Sequence, residues 1–277
     1  MNPLPPGHKP LIVCADDFAV HESASLGIAR LAAQGRISAT SAMVLSPRWV
    51  RDAALLQDLR GRIDVGLHLD WTSDFARAAG HGLGLGAAMR RALLGGFDPK
   101  DASAVIAQQL DGFEAVWQAP PDYVDGHQHV QQFAGIREAL VTLLARRYGA
   151  LAVKPYLRIS RPPAGAADLK GRVIAAMGAD ALQSQGARAG LPVVSALSGI
   201  YDFSGDTARY ATLMARWLVQ APAGAIIMCH PAQAAEPGDV IGVARAQEFA
   251  YLGSADFVAA LQQAGVTLVR GAQTLHH

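Results

Sequence analysis

Cysteine is scarce, charge is modest and balanced, and long apolar runs are missing. The chain has two cysteines, Cys14 and Cys229, far apart in sequence and each inside an apolar stretch. That excludes a disulfide framework and makes a reducing cytoplasm the default expectation. No segment approaches the roughly 20 apolar residues that a membrane span needs, and Leu11–Ala15 is too short for a signal-peptide core. Lys and Arg number 24 against 23 Asp and Glu, with no basic runs, so nothing suggests a nucleic-acid partner. Phosphate-loop, dinucleotide-fold and nucleophile-elbow glycine motifs are absent too. The run His81-Gly-Leu-Gly-Leu-Gly86 follows no strand and reads as loop. Nothing identifies an oligomeric interface, and a homo-oligomer stays open.

What is present is a core-forming composition, 51% hydrophobic with 17% charged residues in 277. A chain of that size buries about three quarters of its unfolded surface. Short β-favouring runs alternate with segments of helical periodicity. The strands read as Leu11–Ala15, Thr40–Leu45, Asp64–Asp70, Tyr123–His129, Ala152–Ile159, Val193–Ile200, Ala225–Cys229 and Val266–Arg270. The helices read as Glu22–Gln34, Arg51–Leu59, Ala102–Trp117, Ile136–Tyr148, Leu169–Met177, Thr207–Val219, Ala244–Leu252 and Ala255–Ala264. Seven or eight such units imply an α/β fold with a parallel sheet, closed as a barrel or doubly wound. There is no linker or composition break, so residues 1–277 read as one catalytic domain. The Gly- and Ala-rich stretch 72–100 reads as a partly helical insertion over one end.

Metal-competent side chains gather where strands end. Asp16 and Asp17 follow the first strand, His68 ends the third, Asp125, His127 and His129 close the fourth, and His230 terminates Ile226-Ile-Met-Cys-His230. Carboxyl-terminal strand ends are where parallel α/β folds assemble their sites. Taken singly, each residue has a plain structural reading: a turn or helix cap for the aspartates, a packed core imidazole for His68 or His129. A catalytic divalent metal wants about three imidazole or carboxylate ligands and one further position for water. Asp17, His68 and His127 supply that set. Asp16, adjacent but differently aimed, is then a free carboxylate suited to a general base, and His230 can protonate a leaving group. Asp125 and His129 are candidate outer partners that fix ligand tautomers. His127 and His129, two apart on a strand, would point to one face. Trp71, Phe75 and Tyr201 are candidates to stack on a sugar ring or simply to fill the core. Cys229 reads as buried filler.

These residues resemble the YdjC-like carbohydrate deacetylases, of the chitooligosaccharide-deacetylase and hopanoid-biosynthesis type. The resemblance runs from about Leu11 to Val269. It is carried by Ala15-Asp-Asp-Phe18, Gly66-Leu-His68, Asp125-Gly-His-Gln-His129, Cys229-His-Pro231, and Arg245 with Glu248 and Leu252. It implies a distorted (β/α) barrel and removal of acetyl from an N-acetylated sugar or glycolipid. It also implies Asp16 as base, Asp17, His68 and His127 on magnesium or zinc, and His230 as general acid. Two positions depart from the family pattern. Ala19 stands where Gly is common, so the turn must avoid positive φ or accept strain, and Gln131 stands where another His is frequent. The alternatives are a metal-dependent hydrolase of another amide or a phosphoester, with Arg158 the cation to meet a phosphate, or a non-catalytic sugar-binding protein of the same fold.

Overall fold

The computed structural model describes residues 5–166 and 168–275. The strands are β1 (Lys9–Phe18), β2 (Ala39–Ala42), β3 (Asp64–Leu69), β4 (Tyr123–Gly126), β5 (Tyr156–Arg158), β6 (Val193–Val194), β7 (Leu197–Ser198), β8 (Ile226–Cys229) and β9 (Val266–Leu268). The helices are α1 (Glu22–Ala33), α2 (Trp49–Asp52), α3 (Asp74–Ala78), α4 (Leu85–Leu93), α5 (Pro99–Trp117), α6 (Ile136–Tyr148), α7 (Leu169–Ala176), α8 (Ala179–Arg188), α9 (Thr207–Gln220), α10 (Gly242–Leu252), α11 (Ala255–Gln263) and α12 (Gly271–Thr274). Their starts follow from local chemistry. Asp98, Asp168, Asp206 and Ser254 each cap a helix by accepting a backbone N–H, and Pro99 occupies the first turn of α5.

All pairings between these strands are parallel, in the order β6-β5-β4-β3-β2-β1-β8-β7. The two ends of that order, β6 and β7, are joined by only Ser195 and Ala196, so the sheet curls into a nearly closed barrel. β9 pairs with the first three residues of β1, below β2 on the same edge. The expected run Val193–Ile200 is therefore two short strands at the seam, and Ala152–Ile159 keeps only three ladder residues. Helix α8 was not anticipated. Its apolar content is low, and it buries only Ala179, Leu182 and Gly186. The stretch 72–100 forms α3 and α4.

Strand periodicity divides the core in two. Leu11, Val13, Val65, Leu67, Val124, Leu157 and Ile227 face the helices, while Ile12, Cys14, Tyr123, Tyr156, Ile226 and Met228 face inward and plug the barrel. Tyr123 and Tyr156 stack at 4.9 Å between ring centroids. Gly66 makes room for them, since a Cβ there would lie 2.5 Å from the Tyr123 ring.

A candidate metal centre at the mouth of the barrel

Continuing the inward phase by two residues carries each strand from the apolar plug into a polar layer. Cys14 leads to Asp16, Ala39 to Ser41, Gly66 to His68, Tyr123 to Asp125, Tyr156 to Arg158 and Met228 to His230. His68 and Asp125 are also register partners across β3 and β4. By the same alternation Asp17 should point away. Two features re-aim it. The β1–β2 register shifts between Ala15 and Phe18, and Asp17 itself has φ +66°. A bulge with a left-handed residue turns a side chain across the sheet, and Asp tolerates that region better than most residues. Ala19 follows at φ +73°, so the turn accepts the strain that glycine would avoid.

The turn after β4 differs from the expected strand. Gln128 and His129 have φ of +53° and +64°, and the chain folds back so tightly that a Cβ on Gly126 would sit 2.8 Å from the Gln131 amide nitrogen. His127 and His129 therefore do not share a strand face. His127 turns toward Asp17, with Nδ1 3.1 Å from Oδ1. His129 instead bonds Ser160 Oγ at 2.9 Å and touches neither His68 nor His127 through a hydrogen bond. Gln131, at the position that departs from the family pattern, donates to the Arg158 carbonyl and the Ser160 hydroxyl.

Ion pairs link the layer into a line. Arg158 grips Asp16 with two donors, at 2.6 and 2.8 Å, and lies 2.8 Å from Asp125. Asp125 holds His68 Nδ1 at 2.6 Å, which leaves Nε2 directed at Asp17 Oδ1, 3.4 Å away. The other Asp17 oxygen takes a 2.7 Å bond from Arg245, and Arg245 also donates to Asp239 at 2.7 Å. Asp16 is thus not the free carboxylate expected. Burial alone would raise its pKa, but the Arg158 guanidinium outweighs burial and holds it well below the carboxylate range. Asp17 is likewise held low, with Arg245 and then His127 opposing burial. Burial would lower the His68 pKa, and Asp125 more than reverses this, to about 10. His230 is pushed the other way, to about 4, chiefly by burial. Its Nε2 stands 4.0 Å from Asp16 Oδ2, its ring meets Phe203 edge-on, and its buried Nδ1 has no hydrogen-bond partner among the described residues.

A divalent cation suits this donor set. One ligand atom each from Asp17, His68 and His127 lie within 4.8 Å of one another, giving two imidazoles and a carboxylate. Asp125 keeps the proton on His68 Nδ1, so Nε2 offers its lone pair outward once the imidazolium proton leaves. Along the line, Asp16, Asp17, Asp125 and Asp239 are opposed by two guanidiniums, Arg158 and Arg245, and by imidazoles that are neutral when they bind a metal. The excess of two negative charges matches one divalent ion.

Several residues that shape the site were not picked out for it from sequence. Arg158, the cation that the alternative phosphoester reading would need, is wholly buried against Asp16. Arg245 and Glu248, three apart on α10, reach the site from outside the barrel. Glu248 accepts from the His230 backbone N–H and from Tyr201 Oη at 2.6 Å, and burial raises its pKa to about 7. Tyr201 is thereby committed to the core, as is Trp71, which packs on His81 and Phe97. Of the three aromatic candidates only Phe75 faces the cavity. Cys14 and Cys229 are free and buried.

Above the polar layer opens a cavity of about 790 Å³, with Asp16, Asp17, His68, His127, His129 and His230 among its lining residues. Its size lies within the range of small-molecule sites. Its walls are mostly apolar, from Phe75 and Met89 in the 72–100 stretch, Phe133, Met177 in the α7–α8 turn, and Phe203.

The parallel barrel thus carries its acidic and imidazole groups at its carboxyl-terminal mouth, where parallel α/β folds assemble their sites. The chain belongs to the YdjC-like protein family, whose model matches residues 10–263. No curated protein sequence matches it. In fold it is similar to an Enterococcus faecalis protein named for cellobiose-phosphate cleavage, with a TM-score of 0.71 and 18% identity over 97% of this chain and 100% of that one. It is also similar to the lactam utilization protein of Thermus thermophilus, with a TM-score of 0.50 and 16% identity over 94% and 98% of the two chains. A family 4 carbohydrate esterase from Streptomyces lividans aligns more loosely, at 0.45 and 12% over 96% and 95%. Among the described residues, no helix is long and apolar enough to cross a membrane.

Proposed function

We propose that the chain is a metal-dependent hydrolase that removes an acetyl group from an N-acetylated sugar or glycolipid. One observation carries this reading: Asp17, His68 and His127 converge as a donor set on the floor of a cavity that also holds Asp16 and His230. A divalent ion held there supplies Lewis acidity for the acetamide carbonyl and for water. The side chains supply the proton path. Asp16, fixed and ionised by Arg158, accepts the proton of the attacking water. His230, neutral at pH 7 because it is buried, takes that proton at Nε2 and delivers it to the departing amine. The Glu248 carboxylate holds the His230 backbone in place from below.

The apolar walls favour a sugar that carries an apolar group, which places a glycolipid ahead of a free oligosaccharide. Hydrolysis of a phosphoester has less support, because both terminal nitrogens of Arg158 are engaged by Asp16. The name of the Enterococcus faecalis relative brings a phosphorylated disaccharide into consideration, and the test accommodates it. Chelated protein is assayed for acetate release from N-acetylated sugars, their phosphorylated forms and N-acetylated glycolipids, with and without zinc or magnesium. Metal-restored release is the expected result. Stoichiometric metal binding without acetate from any substrate would move the reaction to another bond, and a failure to bind metal would remove the central premise.

A further inference from the structure

Two helices at the edge of the cavity carry apolar side chains into solvent. On α4, Leu85, Met89 and Leu93 recur every four residues; on and just after α7, Leu169, Val173 and Met177 do the same, so each trio forms one stripe. Leu85, Met89, Val173 and Met177 line the cavity. One turn further along each stripe Leu93 and Leu169 are 70% and 77% exposed, and Leu94, just after α4, is 80% exposed. Val240, on a separate loop, also lines the cavity and is 98% exposed. Single exposed leucines are ordinary, but a group of them continuous with an apolar cavity marks an interaction surface. The charge on these helices has one sign. α4 carries Arg90 and Arg91, α7 carries Lys170 and Arg172, and neither contains an acidic residue.

We propose that this rim docks the protein on an anionic lipid bilayer, so that a membrane-held glycolipid enters the cavity with its sugar foremost. Leucines on short cationic helices fit the boundary between headgroups and acyl chains, with the exposed Arg90, Arg91 and Arg172 among the anionic headgroups, while Lys170 turns inward to the Tyr201 carbonyl. A second copy of the chain fits less well, because a symmetric contact through these helices would set like charges against each other. The inference rests on the glycolipid reading above. It is tested by binding without turnover, so the two can fail separately.

Chelated protein is sedimented with vesicles of phosphatidylcholine alone and of phosphatidylcholine with one quarter phosphatidylglycerol. The parent is expected to partition onto the anionic vesicles and to be released by raised salt. The triple variant Leu93→Ser, Leu94→Ser, Leu169→Ser should bind at least tenfold more weakly, and so should Arg90→Gln with Arg91→Gln. Both variants should unfold in urea at the parental midpoint, which shows that they fold. Absence of parental binding, or equal binding by the triple variant, overturns the proposal. So does a dimer of the parent in gel filtration that the triple variant loses, which would assign the surface to a second copy.

Discussion

Replacing Arg158 with Met would leave two buried carboxylates, Asp16 and Asp125, without the cation that lies 2.6 to 2.8 Å from each. All three side chains are nearly inaccessible to water, so solvent cannot take over the role of the guanidinium. Removing one partner of such a buried pair costs about 3–5 kcal/mol. With an unfolding entropy near 2.1 cal/mol/K per residue, a 277-residue chain should lose about 5–9 °C in Tm. The pH dependence separates this mechanism from a simple cavity. In the parent, Asp16 titrates below its unfolded value of about 4. Its ionised form therefore stabilises the fold above that pH, and the contribution is lost as pH falls through the lower folded value. In the variant, burial governs and the Asp16 pKa rises above the unfolded value. Stability then falls as pH increases through the new pKa. The two unfolding curves should converge in acid and separate toward neutrality. Urea unfolding of both proteins from pH 4 to pH 8, in chelator so that no cation substitutes for the guanidinium, measures this directly. A gap under 1 kcal/mol at pH 7, or a gap that does not change with pH, would refute the electrostatic argument.

Asp16→Asn should keep its metal, measured by elemental analysis, and lose acetate release by about 10²- to 10⁴-fold, the usual weight of a general base. His127→Ala removes a proposed ligand and should weaken zinc binding in calorimetry beyond the roughly 10- to 100-fold expected for an outer partner such as Asp125→Asn; parental affinity in His127→Ala would exclude that ligand set. Glu248 has the opposite linkage sign to Asp16. Its folded pKa of about 7 lies above the unfolded value, so its contribution is present below about pH 4.3 and is lost as pH rises through 7. Glu248→Gln should therefore flatten the fall in urea midpoint across that interval, and an unchanged slope would place the titration elsewhere.

Much of the fold and part of the site are local properties and could be read from sequence. Short β-favouring runs mark the strands, most plainly β1 and β8, Asp and Ser caps set the starts of α3, α5, α7, α9 and α11, and the ends of β1, β3, β4 and β8 located Asp16, Asp17, His68, Asp125, His127 and His230. Periodicity was a weaker guide where tertiary contacts hold a short element in place, as in β5, β6, β7 and the sparsely apolar α8.

What only the tertiary structure decided is how those residues are aimed and paired. Alternation along β1 would send Asp16 and Asp17 to opposite faces, and it is the bulge against β2 with the left-handed Asp17 that brings both to the mouth. The fold-back at Gln128 and His129 separates two histidines that spacing alone would set side by side. Arg158 joins Asp16 across 142 positions, and Arg245 joins Asp17 across 228. No local pattern encodes such partners, because ion pairing depends on distance in space and on exclusion of water, and barrel closure supplies both. Sequence determined which chemistry the chain carries and at which end of each strand it sits. Closure of the barrel decided which carboxylate is gripped by arginine, which faces the imidazoles, and which histidine is left neutral above them.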